Sequence, residues 1–352
     1  MKLSFLPAKD LVVGVDIGSH SVKVCQLKRA DKGYSVVTAG IARLPEGVVD
    51  DGALNEPEVV AAAIKELFKQ LKIKKKKVGF SISGYSVIVK KIQVTVMEPD
   101  EMESHIMEEA EQYVPFDLDD IYLDFQDLVT TTEEDEKTDV MLVAAKKEVV
   151  DEYLEMLAGI GLQATVVDID GFALENTYEY NAGEKRNVAL IDIGASKINI
   201  NILANGVSVV ARDIVVGSGQ LTEQIMRKCD LEFEEAENIK LGHTPVEKHK
   251  KTVEEIFTSV CTQWILEIKK SLDLYQANYP DQPLEKILLS GGGSKVSGLD
   301  AYIHAETGVA VELFNTFGSM VSVDKKIDPS YLGTVAPEMA IATGIAIRPT
   351  PV

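Results

Sequence analysis

The chain has 352 residues, 45% of them hydrophobic and 26% charged, which is the composition of a globular protein too long for one ordinary core, so two or more lobes are expected. Its 56 acidic against 36 basic residues give a formal charge of −20, a field that repels phosphate backbones and anionic lipid and speaks against bulk nucleic-acid or membrane-surface binding. No run approaches the roughly 20 apolar residues of a spanning helix, no signal peptide is evident, and the scattered Cys25, Cys229 and Cys261 lack disulfide or zinc spacing, which points to the cytosol.

Taken in chain order, "LVVGV" is an apolar strand that ends on Asp16 and Gly18, turns through Ser19, His20 and Ser21, and resumes alternation at Val22 and Val24. Residues 57–72 have helical spacing with a proline near their start, and the lysines of "KIKKKK" read as a solvated helix end before the strand "VGFSIS". Residues 86–165 form a distinct α+β block. It contains a strand "VIVKKIQV", an acidic helix begun by Asp100, a strand "IYLDFQDLV", a polar loop "TTEEDEKTD", a strand "VMLVAAK" and a helix closed by Gly161. Further on, "DIVVGSGQLTEQIMRKC" predicts a strand, a Gly-Ser-Gly turn at Gly217–Gly219 and a helix. "DLEFEEAENIKLG" predicts a second helix, and 251–278 a long amphipathic one. "EKILLSGGGSKVSGLDAYI" predicts a strand, the glycines Gly291, Gly292 and Gly293, and a helix.

The opening motif occurs twice. "VVGVDIGSHSVKVCQL" (12–27) aligns with "VALIDIGASKININIL" (188–203), and Asp16 and Asp192 lie 176 positions apart, half the chain length. Two strand–turn–strand units at that spacing imply a duplicated pair of lobes. The chemistry of such a turn is anion binding, because small residues let successive backbone N–H groups approach a phosphate. Ser19 and Ser21 add hydroxyls and Lys23 a counter-charge, while in the second copy Gly194, Ala195, Ser196 and Lys197 stand at the tip. Asp16 and Asp192 would face the phosphates, an arrangement that calls for a mediating cation with retained waters such as Mg2+. Two hairpins whose aspartates only cap their turns is the plainer alternative, as is a mere connector for the "GGGS" loop.

These motifs together resemble the actin-like (ribonuclease H-like) ATPase superfamily, and within it the type IV pilus assembly PilM family, relatives of FtsA. The resemblance implies an α/β fold of two duplicated lobes with an α+β insert in the first. Its divisions are a first lobe from 1–85, the insert at 86–165 and a connecting helix at 166–187 that completes the first lobe. A second lobe at 188–330 carries a helical subdomain at about 217–282, and a closing helix and tail occupy 331–352. "DIGSHSVKV" and "DIGASKINI" look like the two phosphate motifs, and "LSGGGSKVSGL" like the adenosine motif with Gly292, Gly293 and Ser294 near the sugar. "GSGQLTEQI" with "EEAENIK" resembles the nucleotide-contacting pair that places Glu237 and Lys240 beside ribose and adenine, and Asp170 aligns with an acid that positions water. The helix ending "YVPF" before "LDF" resembles the PilM pattern. The resemblance implies ATP and Mg2+ as cofactors, at most slow hydrolysis, and a cytoplasmic place at the inner membrane through protein partners. The expected partner is the cytoplasmic N-terminal segment of PilN, held between first lobe and insert, with contacts to other pilus inner-membrane and motor components. Self-association, a small-molecule kinase and a filament-forming ATPase are the other roles open to the superfamily. No cluster of polar side chains nominates itself as a kinase substrate site.

Overall fold

A computed structural model describes residues 10–128, 136–183, 185–246 and 248–350. The chain enters through β1 (Val13–Ile17), turns into β2 (Ser21–Ala30) and continues as β3 (Gly33–Arg43). All five residues of β1 are buried, as befits a strand with neighbours on both sides. A short ladder of β4 (Val49–Asp50) and β5 (Ala53–Leu54) leads to α1 (Pro57–Gln70). Pro57 fits the first turn of α1, where no N–H partner is needed, and Val60, Ile64, Leu67 and Phe68 form its buried stripe. Then β6 (Lys77–Ile82) lies parallel to β1.

The insert consists of β7 (Val87–Thr95), α2 (Pro99–Tyr113), β8 (Ile121–Asp127) and β9 (Lys137–Lys146), with the strands antiparallel in the order β7-β9-β8. Helix α2 starts before Asp100, because Pro99 is preset for a first turn and Glu98 takes the extended backbone of an N-cap. The polar loop expected over 131–139 falls partly outside the described residues, and its end, from Lys137, is already strand. The next helix, α3 (Lys147–Gly159), belongs by packing to the first lobe rather than the insert. Its Val149, Val150, Tyr153 and Leu157 join the core around Val60, Ile64 and Phe80. Gly161, at φ +75°, turns the chain into β10 (Gln163–Ile169), which pairs with β6. Residues 166–169 are therefore strand, and the connecting helix is α4 (Asp170–Ala182).

The second lobe repeats the plan. It runs β11 (Val188–Ile193), β12 (Ile198–Ala204), β13 (Val207–Ile214), α5 (Gly219–Cys229), α6 (Phe233–Lys240) and α7 (Lys250–Asn278). After these come β14 (Lys286–Ser290), a 3-10 turn at Gly292–Lys295, α8 (Leu299–Thr307) and β15 (Val311–Leu313). Its sheet order β13-β12-β11-β14-β15 matches β3-β2-β1-β6-β10 strand for strand. The duplication read from two hairpins thus extends through both sheets. The chain then returns to the first lobe earlier than residue 331: β16 (Ser322–Val323) pairs with β3, ahead of α9 (Pro329–Val335) and α10 (Ala340–Ile347).

Helix α10 is buried over Ala340–Ala346, as its uniformly small and apolar sequence requires. A Cβ on Gly14 would stand 2.0 Å from the Ala342 carbonyl, and one on Gly344 would stand 1.7 Å from the Ala173 carbonyl of α4. The two helices that end the two repeats therefore cross main chain against main chain. Among the described residues no helix is long and apolar enough to cross a membrane.

Candidate functional site

The two hairpin turns close with the same bond. Gly18 N–H donates to the Ser21 carbonyl at 3.1 Å, and Gly194 N–H to the Lys197 carbonyl at 2.8 Å. Neither glycine has a positive φ, so their value lies in space rather than in left-handed backbone. No described residue accepts a bond from the amides of Ser19, His20, Ala195 or Ser196. Each tip is a set of free N–H donors suited to an anion.

Around the tips stand three acids and two lysines. Lys23 lies opposite Asp16 in the β1–β2 register and meets its carboxylate at 3.1 Å. Lys197 crosses the lobe boundary to Asp170 at 3.1 Å and also reaches the Ser83 hydroxyl. Ser81 donates to Asp170 Oδ1 at 2.6 Å and Ser83 to Oδ2, while Ser290 donates to Asp192 at 2.8 Å. Burial raises Asp16 above the ordinary carboxylate range against the pull of Lys23, and burial pushes Asp192 up to about 6. For Asp170, burial is outweighed by Lys197 and the two serine hydroxyls, and its pKa falls. Burial works against the charge of Lys23, but Asp16 and Asp192 together raise its pKa. Lys23 thus feels the acids of both hairpins, which puts the two turns near one another.

The second-lobe motifs bed the second hairpin. Ser218 N–H donates to the Gly194 carbonyl and Gly219 N–H to that of Ala195, both at 2.9 Å. A Cβ on Gly217 would lie 2.3 Å from the Ala195 carbonyl, and one on Gly293 would lie 2.4 Å from Ile193 Cγ2. Ser294 Oγ ties the loop to the Gly291 carbonyl at 2.6 Å, whereas Gly292 has open space with only Glu338 near, at 3.7 Å. On α6, Lys240 meets Glu237 at 2.5 Å and Thr222 at 2.9 Å, and burial lowers the lysine's pKa. His20 stacks on Phe233 at 5.8 Å, which brings α6 against the first hairpin, and burial lowers the His20 pKa against the pull of the Glu237 charge.

The structure brings Asp16, Lys23, Asp170, Asp192 and Lys197 near one another, with two revisions. Lys23 is engaged with Asp16, and both Asp170 oxygens are occupied, so Asp170 is not a free carboxylate poised over water. The supporting Ser81, Ser83 and Ser290 were not singled out from sequence. Their signal was positional: Ser290 faces Asp192 in the β11–β14 register, and Ser81 follows Phe80, the partner of Val15.

The donor set fits a nucleotide with a divalent cation. Unbonded amides stand at both turns, and Asp192, raised by burial, has no cation in direct contact among the described residues. Among the described residues no three His, Cys, Asp or Glu side chains form a metal cage. A cation here would be held through water and phosphate oxygens, the habit of Mg2+.

Away from the cleft lies a groove of about 1290 Å3. Its walls are the insert face at Tyr122–Leu128 and Met141, the α3 residues Val150 and Leu154, the β10 segment Val166–Ile169, and α4 at Phe172, Glu175 and Glu179.

The profile of the family described as type IV pilus assembly protein PilM matches residues 14–350. A chain of a solved PilM–PilN type IV pilus biogenesis complex is 28% identical, with a TM-score of 0.86 over 98% of this chain and 100% of that one. The ethanolamine utilization protein EutJ from Carboxydothermus hydrogenoformans is 16% identical at a TM-score of 0.59, covering 97% of this chain and 90% of that one. MreB5 of Spiroplasma citri bound to AMPPNP is 11% identical at 0.55, over 96% and 95%. The last two show the fold alone, and it is the two-lobe actin-like fold. With the duplicated sheets, the paired hairpins and a family match spanning nearly its whole length, the chain belongs to the type IV pilus assembly protein PilM family.

Proposed function

We propose that this chain is an ATP-binding adaptor of type IV pilus assembly, holding ATP and Mg2+ between the hairpins and the cytoplasmic N-terminal segment of PilN in the groove. The observation that carries this reading is the full-length likeness to the partner-bound PilM–PilN complex, in a chain that presents a large groove beside the insert. The amides of Ser19, His20, Ala195 and Ser196, with the Ser21 hydroxyl, receive phosphate oxygens, and Lys23 and Lys197 balance them. Asp16 and Asp192 hold waters of the cation, Glu237 and Lys240 flank ribose and base, and Gly292, Gly293 and Ser294 line the sugar. When bound, ATP with Mg2+ supplies the polyphosphate and counter-cation that join the two hairpins. Asp170, locked by Lys197 and two serines, keeps Lys197 in place rather than activating water, which fits slow turnover and speaks against a kinase role. The chain then sits at the inner membrane through its partners, including other pilus and motor components.

Coupling has a physical carrier. Helix α4 starts at Asp170 in the cleft and lines the groove with Phe172, Glu175 and Glu179, so a nucleotide that binds one helix position better shifts the groove with it. Calorimetric titration with ATP–Mg2+, with and without the PilN segment, tests this. ATP binding should survive with slow turnover and change affinity when the peptide is present. Asp16→Ala and Asp192→Ala should each weaken Mg2+-dependent binding at least about tenfold, or about 1.4 kcal/mol. Parent-like binding by both variants would remove the carboxylates from the site.

A further inference from the structure

The lysine run that closes α1 belongs neither to the cleft nor to the groove. Lys65, Lys69, Lys72, Lys74, Lys76 and Lys77 are exposed, and no acid interrupts residues 67–77. Glu66 meets Lys69 at 3.4 Å and Asp10 meets Lys75 at 3.8 Å. Among the described residues no ion pair holds Lys65, Lys72, Lys74, Lys76 or Lys77. The helix end explains little of this. Its dipole favours cations only in the last turn, where α1 has Lys69 alone. Lys72, just past the helix, stands at φ +56°, where glycine is the unstrained choice, so this lysine is no help to the helix. Lys74 and Lys76 alternate with half-buried Ile73 and Lys75, which turns both outward.

We propose that this lysine patch rests on the anionic lipid headgroups of a bilayer, so that the chain touches the membrane itself as well as a membrane partner. The net charge of −20 opposes such contact by the surface as a whole, but salt makes charge a local matter. β6, six residues long, carries the chain about 20 Å from Lys77 toward the insert and its acidic α2, more than twice the roughly 8 Å over which salt screens a charge. The molecule is therefore basic at one end of β6 and acidic beyond the other, which orients it with the insert away from the bilayer. A lipid surface asks for density of positive charge and no fixed geometry, which compact ammonium groups supply. Readers of nucleic acid or phosphate esters favour arginine forks and stacking rings. Residues 57–82 hold no arginine, and their two rings, Phe68 and Phe80, are buried. The patch also adjoins one end of the groove. The Lys76 carbonyl accepts from Gln163 N–H at 2.8 Å, at the start of β10. Asp10, the partner of Lys75, accepts from Thr350 N–H at 2.7 Å, next to the groove residues Arg348 and Pro349. The proposal stands whether or not the groove holds PilN; if it does, one end of that groove opens beside the bilayer.

The test is co-flotation of the full chain, without any PilN peptide, with vesicles of phosphatidylglycerol in phosphatidylethanolamine and with vesicles of phosphatidylcholine. The parent should bind the anionic vesicles and not the neutral ones, and added salt should release it. Each lysine at an anionic surface is worth about fivefold, so Lys72→Gln/Lys74→Gln/Lys76→Gln/Lys77→Gln should lose at least about a hundredfold in vesicle affinity. ATP affinity should stay unchanged. Lys74→Gln/Lys76→Gln, which touches neither helix nor strand, should lose about twentyfold and serves if the fourfold variant does not fold. Lys72→Gly should raise the denaturation midpoint by relieving the backbone while lowering vesicle affinity about fivefold. Equal binding of the parent to both kinds of vesicle, or to neither, overturns the proposal, as does parent-like vesicle binding by the double variant. A DNA duplex that loses affinity for the double variant while the vesicles do not would assign the patch to nucleic acid instead.

Discussion

The two hairpins share one turn and one aspartate yet solve the burial of that aspartate differently. In the first, the residue opposite Asp16 is Lys23, and the acid is neutralised within its own hairpin. In the second, the residue opposite Asp192 is Asn199, and the lysine stands two places earlier, at Lys197, where the first copy has Ser21. Displaced from its own acid, Lys197 reaches Asp170 in the other half of the molecule. Their supports differ too: the second turn sits on glycine backbone at Gly217, Gly219 and Gly293, the first on a stacked pair of rings, His20 and Phe233. One copy is self-sufficient and lightly held; the other is socketed and ties the lobes together.

Removing the crossing lysine breaks this contrast most severely. Lys197→Met leaves Asp170 buried without its cation and should cost about 3–5 kcal/mol in urea denaturation. Lys23→Met should cost less, because Asp16 already lies above the usual carboxylate range and takes up a proton more readily. Next comes Asp192→Asn. Its carboxyl binds a proton up to about pH 6 when folded and to 3.8 by its ordinary value, so stability falls as pH rises through that window. The variant should abolish that slope and gain about 2–3 kcal/mol at pH 7, while losing Mg2+-dependent ATP binding. Gly217→Ala should cost about 1–3 kcal/mol by driving Cβ into Ala195, whereas Gly18→Ala meets the end of the Lys23 side chain at 3.2 Å and the Ser21 carbonyl at an ordinary 3.5 Å and should stay within about 0.5 kcal/mol. A comparably small effect belongs to Arg43→Ala, whose pair with Glu234 joins the lobes at an exposed surface, and which should shift stability by about 0.5 kcal/mol or less.

What was legible in the sequence was what is local. The Asp-Ile-Gly turns, the half-length offset, the amphipathic α1 and α7 and the glycine loops all announce themselves within a dozen residues. What escaped is set by packing between distant segments. The pattern of α3 names a buried face but not which sheet covers it, and Val149, Tyr153 and Leu157 serve the first lobe rather than the insert. Two residues, Ser322 and Val323, suffice to return the chain to β3 and carry no strand signal of their own. The Lys197–Asp170 pair joins groups on different lobes, so nothing near either residue reveals it. From sequence Asp170 stands as an acid over water, because its position along the chain is visible and its neighbours are not.

The contact at Gly344 sets how any rearrangement must proceed. Where α10 meets Ala173 of α4 the facing atoms are main chain with only the Thr177 hydroxyl beside them, and densely packed main chain yields little. The joint behaves as an axle: each helix can roll or slide as a whole, but neither can bend locally to absorb a push. A displacement started at the phosphate end of α4 is therefore expected to move the helix as a unit.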